Sequence, residues 1–590
     1  MTPDLMSQQR QIRIAWIILV AGMLAYATFM GWQSVLRYET FKATAFDLGN
    51  MDQAVWNTIH GRLFQFTNQG IDWYGPPIRL AVHFEPILLP ISLLYLFFPD
   101  PRTLLIFQTL ALAAGALPVF LLARKHLPQW PLLAALLALS YLLMPALIGL
   151  NIFDFHPVSL ATPLLLYALL ALDSRRYGWF VVACFFAALC KEDIPFSVAL
   201  LGILVLWKYR MPRLGSGLMA GGLLYGIFAF MVIRYFYPGV QGNNFWYRYE
   251  SLGSTPGEAI VNILSHPWLL FTTFITLDRL YYLFNLLRNQ GFLSLLAPEW
   301  FLPALPSLAI NLLSTYPLYY SGVYHYNAAI IPFVMISAIY GLRRAVEVWQ
   351  GWSGEQHSEK ATGERASGVS WSQPGQQRQR GQPAEKSAIL QPVALLLRHG
   401  WQVYTGAVRA VAAGPVFTHA VAARIVTLKE IRDHSWQRLS ERMVPLARSL
   451  PFPRVQWVII AWFVLMIGLN QTLMHIPLSW VNWADHMPGA REQHIQQILD
   501  MIPPDATVSA GNNLNPHLSE RQYVTLFPEL TYTTEQGIRK TVQYVVVDLN
   551  YVFPEDKVST AKVINQLINS KSFRVLARAE GVVLLVRQNL

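Results

Sequence analysis

The chain has 590 residues, of which 54% are hydrophobic and only 13% charged, and it carries a formal net charge of +11. Soluble domains carry about 25% charged residues, so this balance excludes an ordinary soluble enzyme and points to a multi-pass membrane protein. The basic excess lies in short loops between apolar runs and in one polar segment, which is where membrane topology puts it and which excludes nucleic acid as a partner. The two cysteines, Cys184 and Cys190, share one apolar run and offer neither a disulfide framework nor a zinc spacing.

In chain order, Arg10 and Arg13 precede an apolar run over residues 14–32. The run continues past Ala25-Tyr26-Ala27, which mimics a signal-peptidase site, so an uncleaved first helix with a cytoplasmic N-terminus is expected. A bilayer core about 30 Å thick needs roughly 20 apolar residues in a helix. About eleven spans are expected, near 12–34, 103–123, 130–150, 157–173, 178–191, 195–208, 215–237, 268–288, 291–313, 326–342 and 455–475. The stretch "PILLPISLLYLFFP", residues 86–99, is short and proline-flanked, as an interfacial or re-entrant segment would be. If it does not cross, Arg124, Lys125, Arg175, Arg176, Lys208, Arg210, Arg213, Arg288, Arg343 and Arg344 all face the cytoplasm. If it crosses, the asymmetry inverts, so the positive-inside rule favours the non-crossing reading. Residues 35–102 are then a first outer loop within a membrane domain over 1–345.

Residues 346–453 read as a cytoplasmic linker. It opens as a Gly/Ser/Gln-rich disordered stretch and continues as basic amphipathic helices carrying Arg398, Arg409, Arg424, Arg432, Arg438, Arg442 and Arg448. A last span over 454–476 leads to residues 477–590. There "ATVSA", "YVTLF", "YVVVD" and "FRVLA" read as strands, and "REQHIQQILDM" and "TAKVINQLIN" as helices. The expected fold class is mainly α: a polytopic transmembrane helix bundle with a small extracytoplasmic C-terminal α/β domain.

Charged residues at a span centre cost roughly 2.5–3.5 kcal/mol each on insertion scales. Lys191, Glu192 and Asp193 must therefore sit at a span end or face a polar cavity, and the topology puts them at the outer end. Asp154 and His156, His83 and Glu85, Tyr324, His325 and Tyr326, and Asp47 and Asp52 fall at the same level. This convergence makes a candidate site of them. Over residues 48–60, Leu48, Met51, Val55 and Ile59 form an apolar stripe opposite Asn50, Gln53, Asn57 and His60, so a helix lying flat on the outer surface is expected. Asp47 suits either a helix N-cap or a functional carboxylate. Asp52 suits a salt bridge to a nearby Arg or Lys, and the 191–193 trio suits a local ion-pair cluster. The i, i+2 pairs His83/Glu85 and Asp154/His156 would share one face of extended backbone, where either could help bind a metal. A divalent metal is accordingly a candidate cofactor, with ordinary hydrogen bonding the alternative; no P-loop or dinucleotide fingerprint is present.

"FDLGNMDQAVWNTIHGR", "HFEPILLPISLLY", "NIFDFHPVSLATPLLLYALLAL", "ALCKEDIPF" and "YHYNAAIIPF", in this order, resemble a family of prokaryotic membrane proteins, domain of unknown function 2079. That family is grouped with the GT-C membrane glycosyltransferases. The resemblance covers roughly residues 12–345 and the C-terminal domain with its "IPPDATVSAGNNLNPHLS". It implies a GT-C-like bundle and an inverting transfer of sugar from a polyprenyl-phosphate donor to an extracytoplasmic acceptor. It further implies Asp47 as the catalytic carboxylate, Asp52 as the second candidate, and Asp154 as a second acid. A cation must stabilise the leaving phosphate; Lys191 is the first candidate, ahead of Arg62, Arg79, Arg234 and Arg248. Glu192, Asp193, His83, Glu85, His156, His325 and Tyr326 complete the expected substrate-binding set. The alternatives are a transporter or flippase of a lipid-linked substrate, and a non-catalytic membrane scaffold.

Overall fold

The computed structural model describes residues 3–68, 78–237, 245–268, 270, 274–353, 445, 452–473 and 487–588. The chain divides into one unit of Met1–Ile339 with Phe463–Leu590 and a second of Tyr340–Trp462. Of the second unit the description is confined almost wholly to the ends of two helices, Ile331–Ser353 and Phe452–Leu473. The linker and basic helices expected over 346–453 otherwise lie outside the described residues.

Among the described residues, four helices are long and apolar enough to cross a membrane: Gln8–Glu39, Pro101–His126, Pro212–Phe236 and Arg454–Thr472. Pro131–Leu142 and Pro145–Ile152, bent by 44°, make a fifth as a pair, and Pro157–Asp173, Tyr177–Ala188 and Ile194–Lys208 are shorter apolar helices. Pro145 explains the bend, because proline removes an amide donor and drives the preceding residue out of the helical region. Helices Ile194–Lys208 and Pro212–Phe236 approach so closely that a Cβ on Gly202 would lie 2.6 Å from the Gly215 carbonyl oxygen.

Among the described residues, the expected span over 291–313 is interrupted. Residues 291–313 break into 3₁₀ turns at Leu293–Leu296 and Pro298–Ala304 before helix Leu305–Leu313. Prolines 298, 303 and 306 account for the interruption. The charge argument also misplaces Arg288. It is buried in the bundle, with Nε and Nη2 donating to Asn470 Oδ1 at 2.9 and 2.6 Å and the guanidinium over the Phe284 ring. The Asn470 amide oxygen and the Phe284 ring face thus solvate this charge in place of water.

Residues 86–99 form helix Leu88–Ser92 and one 3₁₀ turn, Leu93–Leu96. Nine residues are too short for a bilayer core. Leu88, Ile91 and Tyr95 face the protein, whereas Leu89, Leu93, Leu96, Phe97 and Phe98 are exposed, the two-sided burial of an interfacial segment.

In the C-terminal region the strands are β1 (Val508–Ala510), β2 (Val524–Leu526), β3 (Thr531–Thr533), β4 (Arg539–Thr541), β5 (Tyr544–Asp548), β6 (Phe573–Ala579) and β7 (Val582–Arg587). Five of them form a mixed sheet in the order β2-β1-β5-β7-β6, with β1 parallel to both its neighbours, while β3 and β4 make a hairpin. Alternation along the strands gives the sheet two apolar faces. Val546, Val582 and Leu584 pack with Ile495, Ile498 and Leu499 of helix Ala490–Leu499; Val545, Val547, Val583 and Leu585 pack with Ile564 of helix Lys557–Asn569. Phe41, from the loop after the first helix, is buried in the first of these cores. Such a burial contributes about 1.5–3 kcal/mol.

The C-terminal sheet region therefore closes over the first loop. His517 stacks on Tyr38 and Phe41, with ring centroids 4.0 and 4.1 Å apart, and its Nε2 meets the Tyr38 carbonyl at 2.9 Å. Thr67 Oγ1 donates to the Val524 carbonyl and accepts the Val524 amide. This corrects the surface-helix expectation for helix Asn50–Ile59. Leu48, Met51 and Val55 of its apolar stripe are buried, but so are Asn50, Gln53 and Asn57. Gln53 donates to the Arg521 carbonyl at 3.1 Å and accepts the Thr67 amide at 2.8 Å; Asn57 donates to the Gln65 carbonyl. The polar face binds protein, and His60 alone of the four polar-face residues is exposed.

Candidate functional site

The first helix, Pro3–Glu39, ends where Phe41 adopts a left-handed conformation (φ 55°). Such a residue commonly stops a helix. The chain then extends through Thr44 and enters a π-helical turn, Ala45–Gly49, that runs straight into helix Asn50–Ile59. Single π-turns are frequent at functional sites. Asp47 projects from this turn and caps nothing, so the N-cap reading of Asp47 does not hold. Its half-buried carboxylate accepts from Thr44 Oγ1 at 2.8 Å and meets His156 Nε2 at 3.0 Å.

Asp154 reaches the same point from the loop after helix Pro145–Ile152. It is buried and left-handed (φ 50°), a conformation aspartate tolerates better than most residues. Its carboxylate takes Arg37 Nε at 3.2 Å, the Thr44 amide at 2.9 Å and Thr44 Oγ1 at 3.0 Å. One hydroxyl thus stands between two carboxylates. Their environments differ. Burial alone would raise Asp47, but the hydrogen bond and charge of His156, with Thr44 and Arg79, hold it below the ordinary carboxylate range. Burial raises Asp154 despite Arg37, and the Asp47 charge adds to the rise. Carboxyls driven apart in this way can divide acid and base roles.

The loop is fixed from behind. Gln108, in helix Pro101–Ala114, accepts the His156 amide at 2.9 Å and Ser159 Oγ at 2.8 Å, and donates to the Asp154 carbonyl at 2.9 Å. A Cβ on Gly149 would collide with the Val323 carbonyl, so this glycine lets helix Pro145–Ile152 press against the chain leading to His325. The His325 ring stacks on His156 at 3.8 Å and lies 4.2 Å from Tyr326. Both histidine Nδ1 atoms lack a hydrogen-bond partner among the described residues. Burial, then the charges of His156, Lys191 and His83, push His325 well below the usual imidazole range.

Beyond His325, a cavity with room for about one water molecule is lined by Lys191, Asp193, Ser307, Asn311, His325 and Tyr326. Lys191 Nζ lies 3.9 Å from Asp193 Oδ1. Burial raises Asp193. Glu192 turns the other way, to His83 Nδ1 at 2.8 Å and the Phe84 amide at 3.1 Å. Burial opposes its ionisation, yet His83 and Lys191 bring its pKa to about 2.

The structure thus joins Asp47, Asp154, His156, His325, Tyr326, Lys191 and Asp193 in one contiguous site, with Glu192 and His83 at its edge. Asp52, Glu85 and Arg62 point elsewhere. Asp52 is fully buried; its carboxyl bonds Tyr95 Oη and, at 2.6 Å, Ser519 Oγ. The salt bridge expected for it does not form among the described residues. Burial raises its pKa to about 7. Glu85 pairs with Arg79 Nε at 2.7 Å, both buried. Arg62 binds Asn57 Oδ1 at 2.7 Å and lies over Trp56. The metal pairs also fail. His83 and Glu85 diverge to Glu192 and Arg79, and the left-handed turn at Asp154 breaks the extended geometry that the i, i+2 argument requires. No group of three or more His, Cys, Asp or Glu side chains among the described residues is arranged to hold a metal. The described residues therefore do not fit a divalent-metal centre. Arg37, Thr44 and Gln108 escaped the sequence reading; the one available signal was a glutamine inside an apolar run.

A bundle of apolar helices with a polar, acid-bearing site at one end, closed over by a small sheet region, defines a multi-pass membrane protein. The chain belongs to the family described as "Predicted membrane protein (DUF2079)", whose model matches residues 37–358 and 434–584. Among solved structures it is similar to ArnT from Cupriavidus metallidurans in the apo state, at 14% identity over 97% of this chain and 98% of that one, with a TM-score of 0.39. No curated protein matches.

Proposed function

We propose that this protein is a membrane glycosyltransferase of the GT-C kind. It moves a sugar from a polyprenyl-phosphate donor to an acceptor hydroxyl or amide on the extracytoplasmic side, with inversion. The observation that carries the reading is Asp47, a half-buried carboxylate held ionised by His156 and Thr44 beside a second acid driven the other way. In the transfer, the acceptor O–H or N–H gives its proton to Asp47 as the acceptor atom bonds the anomeric carbon. The bond from that carbon to the phosphate oxygen breaks, and its electron pair leaves on the phosphate. His156 stabilises the Asp47 charge before transfer. Lys191 supplies positive charge for the phosphate from the adjoining cavity.

The sequence resemblance supports the donor class. The exposed apolar residues of 88–98 support a site at lipid level. The purified protein in liposomes, given a polyprenyl phosphate carrying a radiolabelled sugar and a membrane extract as acceptor source, tests this. The label should leave the lipid for a new product. Label that crosses the bilayer still attached to its lipid would select the transporter reading instead.

A further inference from the structure

Arg248 sits in the 3₁₀ turn Trp246–Tyr249, apart from the acids. Its guanidinium lies over four rings, with centroids at 4.6 Å for Phe245, 5.3 Å for Tyr247, 4.6 Å for Tyr316 and 5.3 Å for Tyr319. Nε donates to Tyr247 Oη at 3.0 Å and Nη1 to Tyr319 Oη at 2.8 Å. No carboxylate pairs with it among the described residues, and Nη2 makes no hydrogen bond there. The backbone is fixed as well, since Thr315 donates through both N and Oγ1 to the Arg248 carbonyl. A half-buried cation with a free edge of its fork and no counter-ion among the described residues is unusual. The aromatic faces stabilise the charge without neutralising it.

Two neighbours define what would complete it. On one side Tyr319 stacks on Tyr326 at 4.0 Å and 15°, and Tyr326 lies beside His325, so ring contacts run from the Arg248 cage to His156 and Asp47. On the other side Trp246 and Tyr249 pack on helix Pro256–Ser265, whose far face exposes Ile260, Val261 and Leu264, with Trp268 just beyond. Such a face belongs at the boundary between headgroups and acyl chains. A fixed guanidinium fork at that depth, flanked by phenolic hydroxyls, matches a phosphate oxyanion.

We infer that Arg248, with Tyr247 and Tyr319, forms a phosphate-binding site at the lipid boundary, through which a phosphate-bearing ligand enters the acidic site. This deepens the proposed function and rests on it only for the role of the bound phosphate. In that role Arg248 positions the donor, and Lys191 meets the phosphate as the sugar departs.

The test is equilibrium binding to the full chain in phosphatidylcholine nanodiscs, with radiolabelled polyprenyl phosphate as one probe and inorganic phosphate as the other. Arg248→Gln should weaken polyprenyl phosphate at least about tenfold. Arg248→Lys, which keeps the charge over the rings but loses the fork, should fall between Gln and wild type. Arg62→Gln, outside the site, should bind as wild type does. Inorganic phosphate binding in competition, with the same dependence on Arg248, assigns the site to phosphate as such; binding of the lipid probe alone assigns it to a lipid headgroup. Equal binding by wild type and Arg248→Gln, or no binding of either probe to wild type, overturns the inference and makes Arg248 an anchor for its loop. Binding that depends on Arg248 in a protein that transfers no sugar would uphold this site while removing the proposed function.

Discussion

Asp47 and Asp52 stand five residues apart in one continuous stretch, yet they meet opposite environments. Asp47 lies in the π-turn, half-buried, facing an imidazole and a hydroxyl that favour its charge. Asp52 lies in the first turn of the helix, fully buried, between Tyr95 and Ser519, with no cation among the described residues to balance it. Glu520 beside it is pushed up to about 9, by burial first and then by Asp52 and Asp100. One acid is held toward its ionised form in a half-buried turn; the other is pushed toward its protonated form at a seam between two parts of the fold. Sequence proximity does not confer a shared role, because a helix turns successive carboxylates toward different partners.

The largest effect on the Asp52 side should come from Asp52→Ala. It strands two buried hydroxyls, each worth about 1–3 kcal/mol, so the melting temperature of the purified protein should drop while membrane insertion persists. An unchanged melting temperature would remove the seam's structural role.

The pH dependence should be the next largest. Asp52 rises from 3.8 to about 7 on folding. A carboxyl raised in this way contributes its full stability below about 3.8, and that contribution is lost as pH climbs through about 7. The Asp52 contribution should therefore decline between pH 4 and 7, and that of Glu520, raised to about 9, should carry the decline further. Asp52→Asn should flatten the lower part of that decline, and a slope persisting there in the variant would assign it to another group.

A smaller change is expected at Asn512, in the "GNNLNP" stretch. Its carbonyl and its Oδ1 both accept the Ala45 amide, at 2.9 and 3.0 Å, two residues before Asp47. Asn512→Ala should cost about 1 kcal/mol of stability and lower kcat more than it alters KM, because it loosens the turn that aims the carboxylate. Arg62→Ala should shift stability by no more than about 0.5 kcal/mol, since Arg62 lies outside both environments.

Much of this division was readable in the sequence where the causes are local. The strands and helices of the C-terminal region form where alternation and helical periodicity put them, with β7 and the β3–β4 hairpin the additions. Residues 86–99 are too short to cross, and prolines fragment 291–313 by rules that act over a few residues. Partners far along the chain were not readable. Gln53 and Asn57 look solvent-facing because the segments that bury the polar face include residues 519–524; the Asp52–Ser519 contact alone joins positions 467 apart. Arg288 looks like a loop cation because Asn470, which solvates it, lies far along the chain in helix Phe452–Leu473. Asp154 and His156 reach one cluster, but through a left-handed turn that no spacing rule describes.

The comparison of the two acids is tested most directly by measuring sugar transfer from a labelled polyprenyl-phosphate donor with Asp47→Asn and Asp52→Asn side by side, in the same membranes and at matched amounts of folded protein. The account predicts a loss of about 100-fold or more for Asp47→Asn, the scale of general-base catalysis, and a rate near wild type for Asp52→Asn. A fully active Asp47→Asn, or an inactive but folded Asp52→Asn, would contradict it.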